Sequence, residues 1–246
     1  MVMPGINWLF DTAPDPNTGN RAIPVPRGRV LGGSSSINGL LYVRGQARDY
    51  DMWSQLGNRG WSYEDVLPYF RKSERRENAA PDDKFRGTRG PLNVADVSET
   101  DAVLDQVIES AEVLGYPANP DYNGASQEGF GYFQTTMKNG RRHSAANAYL
   151  NPVRNRKNLT VITHAHATRV EVEGRRATGV QYRRDGELRT IRARHEVILS
   201  AGAIQSPQLL ELSGIGAGEQ LQAQGIDVVH ELPGVGENLQ DHYIAR

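Results

Sequence analysis

The sequence predicts a mixed protein of the α/β class, in the α+β sense, in which helices come first, a meander of antiparallel strands follows, and a strand–helix unit closes the chain. Three observations carry this. Val103, Leu104, Val107, Ile108, Ala111 and Leu114 recur at helical spacing. From Asn158 the period changes to the alternation of a strand, as in Arg169-Val170-Glu171-Val172-Glu173. The turns Gly174-Arg175 and Asp185-Gly186 punctuate that region, and Asp-Gly between β-formers signals a hairpin.

Taken in order, residues 1–27 carry Pro4, Pro14, Pro16, Pro24 and Pro26 and read as irregular extended chain. Gly28–Gly45 is rich in Gly and Ser and then apolar, which predicts a turn leading into a helix over Ile37–Val43. Ser62, followed three positions later by Asp65, predicts a helix start by a capping box. Residues 77–100, with Pro81, Gly87, Gly90 and Pro91, read as a loop. A second helix spans Asp101–Leu114 and stops at Gly115. A short helix starts at Ser144 and stops before Pro152. Strands are predicted at Leu159–Thr163, Ala167–Glu173, Thr178–Arg183, Leu188–Ala193 and Glu196–Ser200. A helix then begins around Pro207 and ends at Gly214, and a last strand covers Asp227–Glu231.

Composition excludes several classes of function. The net charge of −1 argues against a nucleic-acid surface, which needs a basic excess. The local run RKSERR at Arg71–Arg76 reads as the solvated face of a helix end. No apolar run approaches the roughly 20 residues of a membrane span, and the start MVMPGINWLFDTAPDPNTG lacks the features of a signal peptide. The expected location is cytoplasmic, or peripheral to a membrane. With no cysteine, disulfides, thiolate metal sites and cysteine nucleophiles are excluded. His143, His164, His166, His195, His230 and His242 show no metal spacing; His164 and His166 are expected on one sheet face at a strand start. His242 beside Asp241 reads as structural rather than as a catalytic dyad. The glycines of Ser213–Gly218 and Gly234–Gly236 read as helix ends or turns, not as a dinucleotide fingerprint. No G-x-S-x-G elbow is present.

The segment Gly28–Tyr42, GRVLGGSSSINGLLY, stands apart. Gly32-Gly33 and the serines after them leave backbone amides open to a ligand. Asn38 offers two donors and an acceptor, which suits a heteroaromatic edge. On the residues alone, a tight turn before a buried helix is the weightier reading.

Two long motifs reverse that weight. Gly28, Arg29, Leu31, Gly32, Gly33, Ser34, Ser35, Ile37, Asn38, Tyr42, Gly45 and Asp51 match one signature of the glucose–methanol–choline oxidoreductases. Gly202, Ala203, Ser206, Pro207, Leu209, Leu210, Ser213, Gly214, Ile215 and Gly216 match the other. YVRGQARDYDMW, GWSYEDVLPYFRKSE, NGRRHSAANAYL and GVGENLQDH also resemble that family, most closely its bacterial dehydrogenases of choline and long-chain alcohols.

The resemblance implies an FAD-binding, Rossmann-like part interleaved with an antiparallel-sheet substrate part. It implies FAD contacts from Arg29, Val30, Gly32, Gly33, Ser34, Asn38, Gly39, Leu40 and Leu41, with Val170 at the adenine and Ala201 and Gly202 on the adenosine side. Some members attach FAD through a histidine where Ile37 stands, so non-covalent FAD is expected. It also implies a division into residues 1–60, which contact FAD, residues 61–157, the helical and loop part of the substrate domain and cap, and residues 158–246, the meander and strand–helix part of the FAD domain. The implied reaction is oxidation of a small alcohol, choline or aliphatic, with hydride passing to flavin N5 and electrons going on to oxygen or a quinone-like acceptor. The family also contains hydroxynitrile lyases, and a non-catalytic remnant is a further alternative. The strand–glycine–helix unit of the family is not matched in residues 1–27, and the family's catalytic histidine is expected beyond Arg246. The chain is therefore expected to be a central piece, incomplete at both ends and catalytically inactive alone.

Overall fold

A computed structural model describes residues 3–241. The chain divides into two units, the first ending at Leu159 and the second beginning at Thr160.

In the first unit, β1 (Phe10–Asp11) and β2 (Pro24–Val25) form a small antiparallel ladder. Helix α1 spans Ala47–Gln55, and the Gln46 amide donates to Asp49 Oδ2 at 2.8 Å at its start. Helix α2 spans Tyr63–Ser73. Its cap is the expected one: Ser62 Oγ accepts from the Asp65 amide at 3.3 Å, and Asp65 Oδ2 accepts from the Ser62 amide at 3.1 Å. Glu64 and Asp65 at the start and Arg71 and Lys72 at the end complement the helix dipole. The two helices meet through aromatic rings, with the Tyr50 centroid 5.5 Å from Phe70 and 6.3 Å from Tyr63.

Strand β3 (Glu74–Arg76) pairs in parallel with β4 (Leu92–Val94). This corrects the expectation of an uninterrupted loop over residues 77–100. It also corrects the solvated reading of RKSERR. Lys72 and Arg75 are exposed, but Glu74 is fully buried and Arg76 nearly so. A strand alternates its faces, so a charged run cannot stay wholly in water once it pairs. Helix α3 (Ala102–Val113) is capped by Asp101 Oδ1, which accepts from the Val103 amide at 2.8 Å. Of its apolar stripe only Ala111 is buried, while Val103, Leu104 and Val107 are exposed. Strands β5 (Met137–Lys138) and β6 (Arg141–Arg142) form a hairpin. A π-helical turn at Ala146–Leu150 runs into a 3-10 turn at Asn151–Val153, so this helical stretch passes Pro152 rather than stopping before it. Pro152 sits in the first turn of the 3-10 segment, where a missing N–H costs nothing.

In the second unit, β7 (His166–Glu173), β8 (Arg176–Arg184) and β9 (Glu187–Arg192) form the antiparallel meander expected from the two turns. Helix α4 (Gly202–Leu212) packs on β7. It begins earlier than expected, at Gly202, so that Pro207 lies inside it rather than at its start. Strand β10 (Ile215–Gly216), helix α5 (Gly218–Ala223) and strand β11 (His230–Glu231), parallel to β10, complete the unit. The strand expected at Asp227–Glu231 is thus only its last two residues. Leu159–Thr163 and Glu196–Ser200 are not strands. Each has the composition of a strand but no neighbouring backbone to pair with among the described residues, and pairing defines a strand. His164 has φ 54° and precedes β7, so it does not share a sheet face with His166. His242 lies outside the described residues.

Gly214–Gly218 does join a strand to a helix, contrary to expectation. The Glu231 carboxylate, however, accepts from the Gly218 amide at 3.0 and 3.1 Å and fills the place an anion would take. Among the described residues no group of His, Asp and Glu could hold a metal ion, and no helix is long and apolar enough to cross a membrane.

Candidate functional site

The Gly28–Tyr42 segment is built from the inside by its own hydroxyls. Ser34 Oγ accepts from the Gly28 amide at 3.1 Å, Ser35 Oγ donates to the Gly32 carbonyl at 2.5 Å, and Ser36 Oγ donates to the Leu31 carbonyl at 2.8 Å. Short polar side chains that bond to nearby backbone favour turns over helix. A Cβ on Gly28 would lie 2.3 Å from the Gly33 carbonyl oxygen, so the turn closes only on glycine.

A single 3-10 turn, Gly33–Ser36, results. The expected helix over Ile37–Val43 does not form. Asn38 Oδ1 accepts from the Leu40 amide at 3.1 Å, Leu40 sits at φ 70°, and Leu41 bridges to Thr135. The local side-chain bond turns the chain out of helix before a second turn can be added. Tyr42 then donates its amide to the Gln134 carbonyl at 2.9 Å.

Arg142 holds this strip from one side. Its guanidinium donates to Asn38 Oδ1 at 2.7 Å, to the Asn38 carbonyl at 2.7 Å and to the Ser35 carbonyl at 3.1 Å. The Ala145 amide donates to Ser35 Oγ at 2.9 Å. On the other side the strip opens to solvent. Nothing lies within 4 Å of a Cβ placed on Gly33 or Gly39. Val30 and Leu41 are 42% and 48% exposed, and Arg29, Ser34 and Asn38 are exposed with them. A flat, partly apolar group with hydrogen-bonding edges fits such a face. The Arg29 guanidinium lies 4.8 Å above the Trp8 ring, which fixes that end.

Behind the strip is a buried ionic cluster that the sequence did not reveal. Glu74 pairs with both Arg44 and Arg86, and Arg86 also pairs with Asp121. Burial works against the charge of Arg86, but the Glu74 hydrogen bond and the Glu74 and Asp121 charges outweigh it and hold its pKa above the usual value. Asn123 Nδ2 and the Tyr122 hydroxyl both donate to the Tyr42 carbonyl at 3.0 Å, and Arg44 Nε donates to the Tyr42 hydroxyl at 3.3 Å. Burial pushes the Tyr42 phenol upward, against the lowering pull of Arg44.

The other implied contacts lie in the second unit. Val170 is buried, and its amide donates to Ser213 Oγ at 2.8 Å. That N–H is engaged, so an adenine contact at this residue would run through its carbonyl. Ala201 and Gly202 start α4 and are exposed, with open space around Gly202. The implied set thus divides, with Arg29–Leu41 in the first unit and Val170, Ala201 and Gly202 in the second.

Arg142 went unremarked in NGRRHSAANAYL, because nothing in the sequence says which of two adjacent arginines turns inward. The ionic cluster was hidden for a similar reason: its members are scattered along the chain and each is of a residue type normally exposed.

Residues 12–244 match the GMC oxidoreductase family profile. The chain belongs to that family. It is 49% identical to an oxygen-dependent choline dehydrogenase of Brucella anthropi over 98% of its own length and 44% of that protein's. Its fold matches pyridoxine 4-oxidase from Mesorbium loti with TM-score 0.90 and 32% identity, over 97% of this chain and 47% of that one. It also matches an FAD-dependent oxidoreductase from Chaetomium thermophilum with TM-score 0.90 and 31% identity, over 96% and 43%. The chain therefore spans less than half the length of these relatives.

Proposed function

We propose that this chain supplies part of the FAD site of an alcohol oxidoreductase that acts on choline or an aliphatic alcohol and uses oxygen as electron acceptor. The observation that carries the reading is the strip itself. It is held on one side by Ser34, Ser35, Ser36 and Arg142, and on the other it offers uncrowded space at Gly33 and Gly39, apolar Val30 and Leu41 and the side-chain amide of Asn38. Arg29, Val30, Gly32, Gly33, Ser34, Asn38, Gly39, Leu40 and Leu41 would hold the flavin, and the Val170 carbonyl with Ala201 and Gly202 the adenosine. The proposed organisation keeps residues 1–60 for flavin contact, 61–157 for the substrate side and cap, and 158–246 for the rest of the FAD part.

When bound, FAD supplies the two-electron acceptor for the alcohol's hydride. The chain's own part is positioning and exclusion of water. Val30 and Leu41 would supply apolar contacts to a bound ring, and the Asn38 side chain a polar one. Ile37 carries no nucleophile, so the cofactor is held non-covalently. The substrate and acceptor follow from the relatives' names, of which the Brucella protein is an oxygen-dependent choline dehydrogenase.

The test is spectroscopic. The chain is purified alone and also joined to the flanking segments of the Brucella relative, each is mixed with FAD and desalted, and the visible spectrum is recorded. Retained yellow colour in the joined form, bleached by choline or an aliphatic alcohol without air and restored by oxygen, supports the reading. Retained flavin that no alcohol bleaches favours a lyase. No retained flavin in either form overturns the FAD site.

A further inference from the structure

Asn38 carries two chemically opposite ends on one amide, and the strip fixes which end faces out. Two donors converge on a single atom of it. The Leu40 amide and the Arg142 guanidinium lie 3.1 and 2.7 Å from Oδ1. An NH2 group cannot accept from either, so the atom in that position must be the oxygen. The Nδ2 end is therefore directed away from both donors, on a residue that is exposed. Arg142 alone could not secure this by one bond, since an amide rotates about its last torsion. Its second and third bonds, to the Asn38 and Ser35 carbonyls, tie the guanidinium plane to the same turn. A planar fork with several donors can do this and a lysine cannot.

We propose that Arg142 is a positioning residue that makes Asn38 a donor-only group toward the bound cofactor. The strip consequently selects a ligand whose facing edge accepts hydrogen bonds, such as a carbonyl or an unprotonated ring nitrogen of a flavin. This deepens the FAD reading above and rests on it.

The experiment uses the form of the protein that retains flavin. FAD affinity, the visible absorption bands and the midpoint potential are measured for the wild type, R142A, R142K, N38A and the double variant R142A/N38A. Loss of one oriented hydrogen bond to the ring predicts a fall in FAD affinity of about tenfold for R142A and for N38A, with displaced absorption bands. R142K is expected to recover only part of it. The double variant should be no weaker than N38A alone, because Arg142 acts through Asn38. A purely structural role would instead make the two losses multiply. If R142A does not fold, N38D serves, because its carboxylate still accepts from Leu40 and Arg142 but presents no donor. N38D should be folded by its urea midpoint and bind FAD at least about tenfold more weakly. Wild-type affinity and spectrum in R142A or N38D, or multiplying losses in the double variant, overturn this inference and leave the FAD site standing. A wild type that retains no flavin in any form overturns both.

Discussion

Each unit has its own kind of interior, and the two kinds are opposite. In the first, the polar side chains of Arg86, Gln134, Glu74 and Asn93, beside the apolar Val94, are each at most 2% exposed. In the second, the buried apolar side chains are Val170, Leu209 and Leu221, with Ser213 bridging helix and strand. An apolar interior tolerates small errors in geometry, because burial is non-directional. An ionic interior does not, because each charge is offset only by partners at hydrogen-bonding distance. The unit that carries the Gly28–Tyr42 strip is the one built with directional contacts, and these end on the Tyr42 backbone.

That contrast can be broken most directly at Glu74. E74A leaves Arg44 facing no carboxylate and Arg86 only Asp121, and is expected to destabilise the first unit by about 3–5 kcal/mol. All three tryptophans, Trp8, Trp53 and Trp61, lie in this unit, so the loss is read from tryptophan emission during urea unfolding. A loss under about 1 kcal/mol would mean that the cluster is not what holds the unit. The matching change in the second unit is L209A. It removes apolar volume from a residue 7% exposed and should cost about 2–4 kcal/mol. The change should appear in far-UV circular dichroism and be nearly silent in tryptophan emission. Equal response in both signals would show that the contrast between units does not extend to their unfolding.

Smaller effects sharpen the picture. S213A strips the Val170 amide of its partner inside a buried site, and about 1–2 kcal/mol is expected. Hydrogen exchange at Val170 should accelerate with it. The smallest effect belongs to His143. Its Nδ1 accepts from the Asn93 amide at 3.1 Å, and burial, with Lys138 and Arg75 close by, lowers its pKa. The folded state therefore prefers the neutral ring. The stability this adds is complete above the unfolded value of about 6.5 and is lost as pH falls through the lowered native value. A urea midpoint that declines between pH 7 and pH 5, with the decline reduced in H143Q, is the expected result.

Local chemistry was legible and long-range chemistry was not. The Ser62–Asp65 box, the helix starting at Asp101 and the two hairpin turns each depend on nearby residues, and each appears where the sequence placed it. Helix α1 was missed, although Gln46 and Asp49 carry its start. Ile37–Val43 was misread because its apolar composition suits a helix, while one bond from Asn38 to Leu40 turns the chain. Leu159–Thr163 and Glu196–Ser200 have strand composition, but a strand needs a neighbour that composition does not provide. For the candidate site, glycine and serine spacing marked Gly28–Tyr42 as a turn, which the structure shows at Gly33–Ser36. Its fastening to Arg142, and through Tyr42 to the ionic cluster, depends on contacts between residues distant in the chain, and these leave no periodic trace.

The meander's outer strand has a practical use. Every residue of Glu187–Arg192 faces water, and the sequence contains no cysteine. A single T190C substitution would thus introduce the only thiol in the sequence, on the unit that has no tryptophan. A fluorophore attached there would accept energy from tryptophans that all lie in the other unit, turning the division at Leu159 into a distance that can be followed in solution.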